Sequence, residues 1–322
     1  MRWPIVVLAL AALAIPAAAT ASGAPVHASA ARAGSLTLRA THANGSAGAV
    51  ISDARWGVTG VLAHYVAGQR VTLHVFRDGA LVLTRTVAVR RQGSRGVFRD
   101  SLAVSGIGRV SVRAIHFATA AQRRLVSPAV SLWLVAPSAF PGEHSYAVRI
   151  LQHQLSALHY QVGAPGVYDA QTQQAVIAFR KMAGLPRNAV ADASVFAALA
   201  AGEGAFTVSY PSQGRHIEAD LTHQVLALIG SNGAVQRLYQ ISSGKPSTPT
   251  QLGTYRVYWK EWGTNSDGMV DSSFFNGGDA IHGYAEVPTY AASHGCLRVW
   301  IPDAAAIYGW VTVGTTVDVY YR

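Results

Sequence analysis

The 322-residue chain contains one cysteine, Cys296, and two histidines close enough in sequence to work with it. Ile281-His282-Gly283-Tyr284 is followed, after a loop, by Ser293-His294-Gly295-Cys296-Leu297-Arg298. A thiol attacks as its thiolate, and at a free pKa of about 8.5 only a few per cent is ionised at neutral pH. An imidazole beside it takes the proton and then stabilises the thiolate as imidazolium. His294, two residues from the cysteine, points the same way in an extended segment but is too near in sequence for an in-line hydrogen bond. His282 arrives from a separate strand and approaches freely, so it is the preferred base. Gly295, lacking a Cβ, lets the amides around Cys296 face a bound carbonyl as an oxyanion hole requires. Arg298 carries a fixed charge that suits a substrate carboxylate or the bracing of a loop. Two other readings stay open: a buried apolar cysteine, or zinc held by His282, His294 and Cys296. The tight His294–Cys296 spacing speaks against zinc.

These residues need a scaffold, and the hydrophobic pattern divides the chain into three modules. Over residues 34–136, Val71, Leu73 and Val75 alternate with Thr72 and His74, a period of two. Asp78-Gly79 then makes a hairpin turn. Val110, Val112 and Ala114, and later Val130, Leu132 and Leu134, repeat the alternation, which predicts a β-sandwich of the immunoglobulin-like kind. His42, His64, His74 and His116 lack metal-ligand spacing. Over 143–201 the period becomes helical: Val148, Leu151, Leu155 and Leu158 share a face. Asp169 and Asp192 open two further helices and Gly184 closes the middle one, predicting a small three-helix bundle. Over 205–322 the period of two returns at Ile217, Ala219 and Leu221. Val225 to Ile229, Val235 to Ile241, Tyr255 to Trp259 and Thr316 to Tyr320 read as strands, with a helical run from Pro302. The expected fold class is therefore multi-domain and mainly β in its last module.

Charge and the leader restrict the setting. Residues 33–137 hold thirteen arginines against Asp53, Asp78 and Asp100, a net of +10, whereas 204–322 hold seven basic against nine acidic residues. Arginine matches phosphate and carboxylate geometry, so an anionic wall polymer is a possible partner of the first module. Arg2, the eleven apolar residues from Ile5 to Ile15, Pro16 and the small residues after it have the layout of a secretory signal peptide over 1–21. Eleven residues are too few to span about 30 Å of hydrocarbon, so no stable transmembrane anchor is expected. Export makes nucleic acid an unsuitable partner and points to a secreted, extracytoplasmic, wall-associated protein. It also makes an unpaired cysteine unusual.

Two resemblances follow. Leu151-Gln152, Leu155, Leu158, Tyr160, Gly166, Asp169, Thr172, Ala175-Val176, Phe179 and Gly184-Leu185 resemble the peptidoglycan-binding type 1 family, with Arg180 where a glutamine is usual. His282-Gly283 with Ser293-His294-Gly295-Cys296, Ile217 to Leu221, the turn Gly244-Lys245-Pro246-Ser247-Thr248-Pro249 and Gly253-Thr254-Tyr255 resemble the YkuD-type L,D-transpeptidase catalytic domain. The loop before Ser293 is short for that family, and Trp300-Ile301-Pro302 replaces an asparagine often found after the cysteine segment. The resemblance implies a transferase without metal or organic cofactor that acts on peptidoglycan stem tetrapeptides. Cys296 would attack the L,D bond, and His282, oriented by the Gly283 carbonyl, would move the proton. Amides near His294, Gly295 and Cys296 would hold the oxyanion, and Ser293, Tyr284 and Arg298 would meet substrate. A thioester resolved by an amine gives a 3→3 cross-link, and carbapenems would acylate the same thiol. An L,D-carboxypeptidase-type hydrolase and a non-catalytic peptidoglycan-binding wall protein are the alternatives.

Overall fold

The structure, a computed structural model, describes residues 34–41 and 48–322. The apolar leader over 1–21 and His42 lie outside the described residues. Ten strands come first: β1 (Leu36–Thr41), β2 (Ala49–Ile51), β3 (Trp56–Leu62), β4 (Arg70–Arg77), β5 (Ala80–Ala88), β6 (Arg90–Gln92), β7 (Arg95–Leu102), β8 (Gly108–His116), β9 (Leu125–Val126) and β10 (Val130–Val135). One sheet has the order β1-β3-β7-β6. The other runs β2-β10-β8-β4-β5, with β9 beside β8. Their inner faces bury Trp56, Val58, Leu73, Val75, Phe98, Val110, Val112 and Leu132 in one core. The period of two in the sequence is this inward alternation. Asp78 and Gly79 both take positive φ, 48° and 87°, as a two-residue hairpin turn of the primed type requires.

Three helices follow: α1 (Tyr146–Ala157), α2 (Ala170–Met182) and α3 (Ala193–Ala201). Ser145 caps α1 by accepting from the Val148 amide, Asp169 caps α2 through the Thr172 amide, and Asp192 caps α3 through those of Ser194 and Val195. Each cap satisfies first-turn donors that have no partner within the helix. Arg180, in the place of the expected glutamine, is buried. It donates to the Val190 and Pro186 carbonyls (2.8 and 3.0 Å) and to Asp192 Oδ2 (2.6 Å), fastening the α2–α3 connection.

The helical unit does not close its core alone. Its apolar stripe (Leu151, Leu155, Val176, Phe179, Val195) continues onto Ala49 and Ile51 of the sandwich and onto Val225, Ala227, Ile229 and Leu238 of the last module. That module consists of β11 (His216–Asp220), β12 (Val225–Ile229), β13 (Val235–Gln240), β14 (Gly253–Arg256), β15 (Trp259–Thr264), β16 (Val270–Asn276), β17 (Asp279–Tyr284), β18 (Leu297–Trp300), α4 (Ile301–Trp310) and β19 (Thr316–Tyr320). A sheet in the order β13-β12-β11-β19-β14 faces a second, β15-β16-β17-β18. Ile217, Leu226, Ile281, Leu297, Val299, Ile307 and Val317 fill the space between them.

The alternation predicted for β11 is incomplete, since all five of its residues are buried. Its second face is sealed around the Glu218 carboxylate, which accepts from the amides of Ser209 and Tyr210, from Tyr320 Oη and from the His216 ring. Burial raises the pKa of this carboxyl, but those donors outweigh it and leave the pKa below the usual value.

Replacing Arg180 with alanine leaves the Val190 and Pro186 carbonyls and Asp192 without their donor. The Arg180→Ala chain is expected to lose roughly 2–3 kcal/mol in denaturant unfolding, and an unchanged midpoint would show that the α2–α3 connection holds without it.

Candidate active site

Strands β17 and β18 run parallel with Ile281 opposite Leu297, His282 opposite Arg298, Gly283 opposite Val299 and Tyr284 opposite Trp300. Ile281, Leu297 and Val299 point into the core, against Ala304 and Ile307 of α4. By alternation, Ala280, His282 and Tyr284 share the other face with Cys296 and Arg298. One step back along the register, the Ala280 amide donates to Cys296 Sγ at 3.4 Å. The thiol lies 3.7 Å from the Gly278 carbonyl, which can accept from it. The cysteine is partly exposed, so the sulfur is not sealed in an apolar pocket. Cys296 thus sits immediately before β18, and His282 lies in β17 two positions beyond Ala280, the residue whose amide meets the sulfur. Among the described residues no hydrogen bond joins the sulfur to the ring. Catalytic contacts of this kind are commonly long before substrate arrives.

The His282 ring is buried, and its Nδ1 lies 2.9 Å from the Gly283 carbonyl. A carbonyl only accepts, so Nδ1 carries the proton and Nε2 is left as the free base. Burial lowers the pKa of this imidazole, the Gly283 bond partly raises it, and the Arg298 charge lowers it again. Burial likewise pushes the Cys296 thiol up. The Ala280 amide and Arg298 oppose that rise, and the charges of Asp279 and Asp267 add to it. The resting pair is therefore a neutral thiol and a neutral imidazole. Gly283 is required because α4 crosses it closely: a Cβ there would lie 2.9 Å from Ala304 Cβ and 3.0 Å from Ile301 Cα.

The loop before β18 is held in one shape by residues 242–250. Ser242 exchanges two backbone hydrogen bonds with Arg298, both 3.0 Å. The Ser243 carbonyl accepts the amides of Ala292 and Ser293, and the Lys245 amide donates to the Ser293 carbonyl. Thr250 Oγ1 donates to the Gly295 carbonyl at 2.6 Å. Gly295 takes φ +131°, and a Cβ there would lie 2.1 Å from Asp279 Oδ1, so only glycine fits.

Two sequence expectations change in this loop. The Gly295 amide donates to Ser293 Oγ (3.1 Å) and is not a spare oxyanion donor. Ser293 is fully buried and its hydroxyl also donates to the Cys296 carbonyl (2.6 Å), so it braces the loop and has no face toward substrate. The exposed His294 ring meets Lys245 Nζ at 3.0 Å, which ties its Nε2 to the ammonium and away from a role as base.

Arg298 and Tyr284 do meet, with the guanidinium 4.1 Å from the ring centroid. The His282 ring stands edge-on to the same tyrosine at 5.6 Å. Among the described residues the Arg298 guanidinium has no carboxylate or carbonyl partner, and no group of three or more His, Cys, Asp and Glu side chains is placed to share a metal ion. Asp279, Thr250 and the bracing role of Ser242 and Ser243 were missed in the sequence. Thr250 directly follows the recognised turn, but its contact depends on pairing across 45 residues.

The family model of the L,D-transpeptidase catalytic domain matches residues 214–319. That of the putative peptidoglycan binding domain matches residues 144–199. The crystal structure of the L,D-transpeptidase (residues 123–326) from Xylanimonas cellulosilytica is 33% identical and has a TM-score of 0.54, the match covering 58% of this chain and 98% of that one. This chain belongs to the L,D-transpeptidase family. The L,D-transpeptidase of Enterococcus faecium, in a cysteine-to-serine mutant, is 29% identical over 34% of this chain and 50% of its own, with a TM-score of 0.30. The one from Stackebrandtia nassauensis is 21% identical over 57% and 95%, with a TM-score of 0.36. No curated protein matches. As in the family expectation drawn from its sequence, the last module is β-rich and an N-terminal β module precedes it.

The electrostatics of this L,D-transpeptidase site set a sign. Alkylation of Cys296 by iodoacetamide is expected to rise with pH about a midpoint above that of an ordinary thiol. In Asp279→Asn, removal of a negative charge that disfavours the thiolate should move the midpoint down. A midpoint that stays or rises would show that Asp279 does not bear on the sulfur.

Proposed function

We propose that the chain cleaves the L,D peptide bond between the third and fourth residues of a peptidoglycan stem and transfers the resulting acyl group to an amine. The observation that carries this reading is the pairing of a partly exposed sulfur with a buried neutral imidazole on one sheet face, the Nδ1 proton of that imidazole being fixed on the Gly283 carbonyl. His282 Nε2 takes the thiol proton as Sγ bonds to the carbonyl carbon. The amides of His294 and Cys296 are the donors proposed for the oxyanion, since that of Gly295 is engaged. Collapse of the tetrahedral species breaks the C–N bond, and the departing D-amino acid leaves with the proton from the imidazolium. A thioester remains on Cys296. An amine of a second stem then attacks it, giving its proton to His282, and the thiol is regenerated as a 3→3 cross-link forms. Each half is an acyl transfer with a lower barrier than direct exchange. Arg298, without a protein carboxylate and flattened on Tyr284, is suited to a stem carboxylate.

Purified full-length chain incubated with disaccharide tetrapeptide is expected to yield dimers with loss of the terminal D-residue. His282→Ala should lower turnover roughly 10²- to 10⁴-fold, and Cys296→Ala should abolish dimer formation. Loss of the D-residue without dimers would mean that water is the acceptor. A Cys296 that gains no mass from a carbapenem in the folded chain would overturn the nucleophile.

We also propose that the arginine-rich edge of the sandwich retains the protein on an anionic, phosphodiester-linked wall polymer. The exposed side chains of Arg90, Arg91 and Arg99 line a groove of roughly 490 Å³ along β6 and β7, and Arg85 and Arg95 are exposed nearby. Asp100, 3.4 Å from Arg85, is the one carboxylate between residues 80 and 100. Changing Arg90, Arg91 and Arg99 together to glutamine should weaken retention on purified walls most at low ionic strength, where screening is least. Equal retention at every salt concentration would refute it.

A further inference from the structure

The segment between His282 and Cys296 has no regular secondary structure from 285 to 292, so its shape is set by what holds it. Much of that hold comes from the helical unit. Arg187, just after α2, donates to the Thr289 carbonyl at 2.9 Å and to the Thr222 carbonyl at 3.2 Å. Lys181, inside α2, is buried. Three acceptors surround its nitrogen, the carbonyls of Gln224 (3.0 Å) and Ile241 (2.8 Å) and Gln240 Oε1 (2.8 Å), and together they call for all three protons of the ammonium form, which burial and the Arg187 charge disfavour.

Those three acceptors lead to the catalytic loop. The Gln224 side chain, also buried, donates to Ser243 Oγ at 2.7 Å and accepts the Ser243 amide at 2.9 Å. Ser243 in turn holds the amides of Ala292 and Ser293. Ile241 precedes Ser242, which pairs with Arg298 and donates through its hydroxyl to the Tyr290 carbonyl at 2.6 Å. Gln240 Nε2 meets Gln174 Oε1 of α2 at 2.8 Å and the Val287 carbonyl at 3.4 Å. From Val287 to Ser293 the loop is thus tied at five residues to partners that end on α2 or on the turn after it.

We propose that Lys181 and Arg187 are positioning residues for Cys296, so that the helical unit sets the geometry of the active site in addition to whatever it binds. The inference rests on the reading of Cys296 as the nucleophile. A buried ammonium is a costly way to join two units when an apolar side chain of similar volume would seal the same interface. What it adds is direction, because three oxygens must converge on one nitrogen. Misplacement of a reacting group by an ångström through a remote change can cost up to about a hundredfold in rate.

The test uses the full chain with Arg187→Ala, Arg187→Lys and Lys181→Met, measuring kcat and KM in the dimer assay, the pH profile of Cys296 alkylation, retention on walls, and the melting temperature. Arg187 is on the surface, so Arg187→Ala is expected to melt as the parent does and to be retained on walls as before. Its kcat should fall roughly tenfold or more with KM little changed, and the alkylation midpoint should move. Arg187→Lys, which reaches one carbonyl and not both, should recover part of the rate. Lys181→Met should show the larger loss of kcat.

Parent values of kcat and alkylation midpoint in Arg187→Ala would overturn the proposal and leave the helices as a docked binding unit. The alkylation profile needs only the thiol, so it reports a displaced loop even in a chain inactive on stem peptides. Failure of this inference is therefore distinct from failure of the proposed reaction.

Discussion

The parallel pairing of β17 with β18 is the constraint on which the site depends. Parallel neighbours cannot be joined by a tight turn, so the chain must leave the sheet after Tyr284 and return at Leu297. The returning loop carries the sulfur, and the register decides which face it meets. A slip of one residue would turn Cys296 inward toward Ile307 and bring Leu297 out beside His282. The apolar set Ile281, Leu297, Val299 and the glycine under α4 guard against that slip. Core packing and the alignment proposed for catalysis are two faces of one pairing.

A loop that returns to a parallel strand has no ladder of its own, and this explains the density of polar contacts around it. Residues 242–250 supply one side of the clamp, and α2 with Arg187 supplies the other through Gln224, Gln240 and Ile241. The shared core of the helical unit and β12–β13 gives these hydrogen bonds a rigid base. Apolar burial fixes the two bodies to each other, and the hydrogen bonds convert that attachment into a defined loop shape. Removing the helices would expose Val225, Ala227, Ile229 and Leu238 as well as freeing the clamp.

Much of this was legible in the sequence. Alternation at Val71 to Val75 marked a strand with one buried face, and Asp169 and Asp192 announced their helices because a side-chain carboxylate at that position has one local task. Cys296 stood out because it is alone, and His282 because it comes from a separate strand and can approach freely. What stayed hidden was long-range. β11 read as half-buried, but Glu218 is enclosed by Ser209, Tyr210 and Tyr320, and no local pattern encodes that enclosure. Ser293 read as a substrate contact on the strength of the resemblance, whereas its hydroxyl is occupied by the loop it belongs to. Lys181 was not singled out in the sequence, because solvent and the helix dipole ordinarily explain a basic residue near a helix end.

The neutral state of the thiol has a consequence for the durability of the protein. Peroxide and disulfides react with the sulfur anion, and their attack slows as the anion becomes scarce. Burial and the Asp279 charge keep Cys296 protonated at rest, and the chain holds no second cysteine with which it could cyclise. On the proposed reaction, a sulfur that ionises only when His282 and an incoming acyl group act on it together would be shielded from oxidative loss in the intervals between turnovers, at the expense of slower attack once substrate is in place.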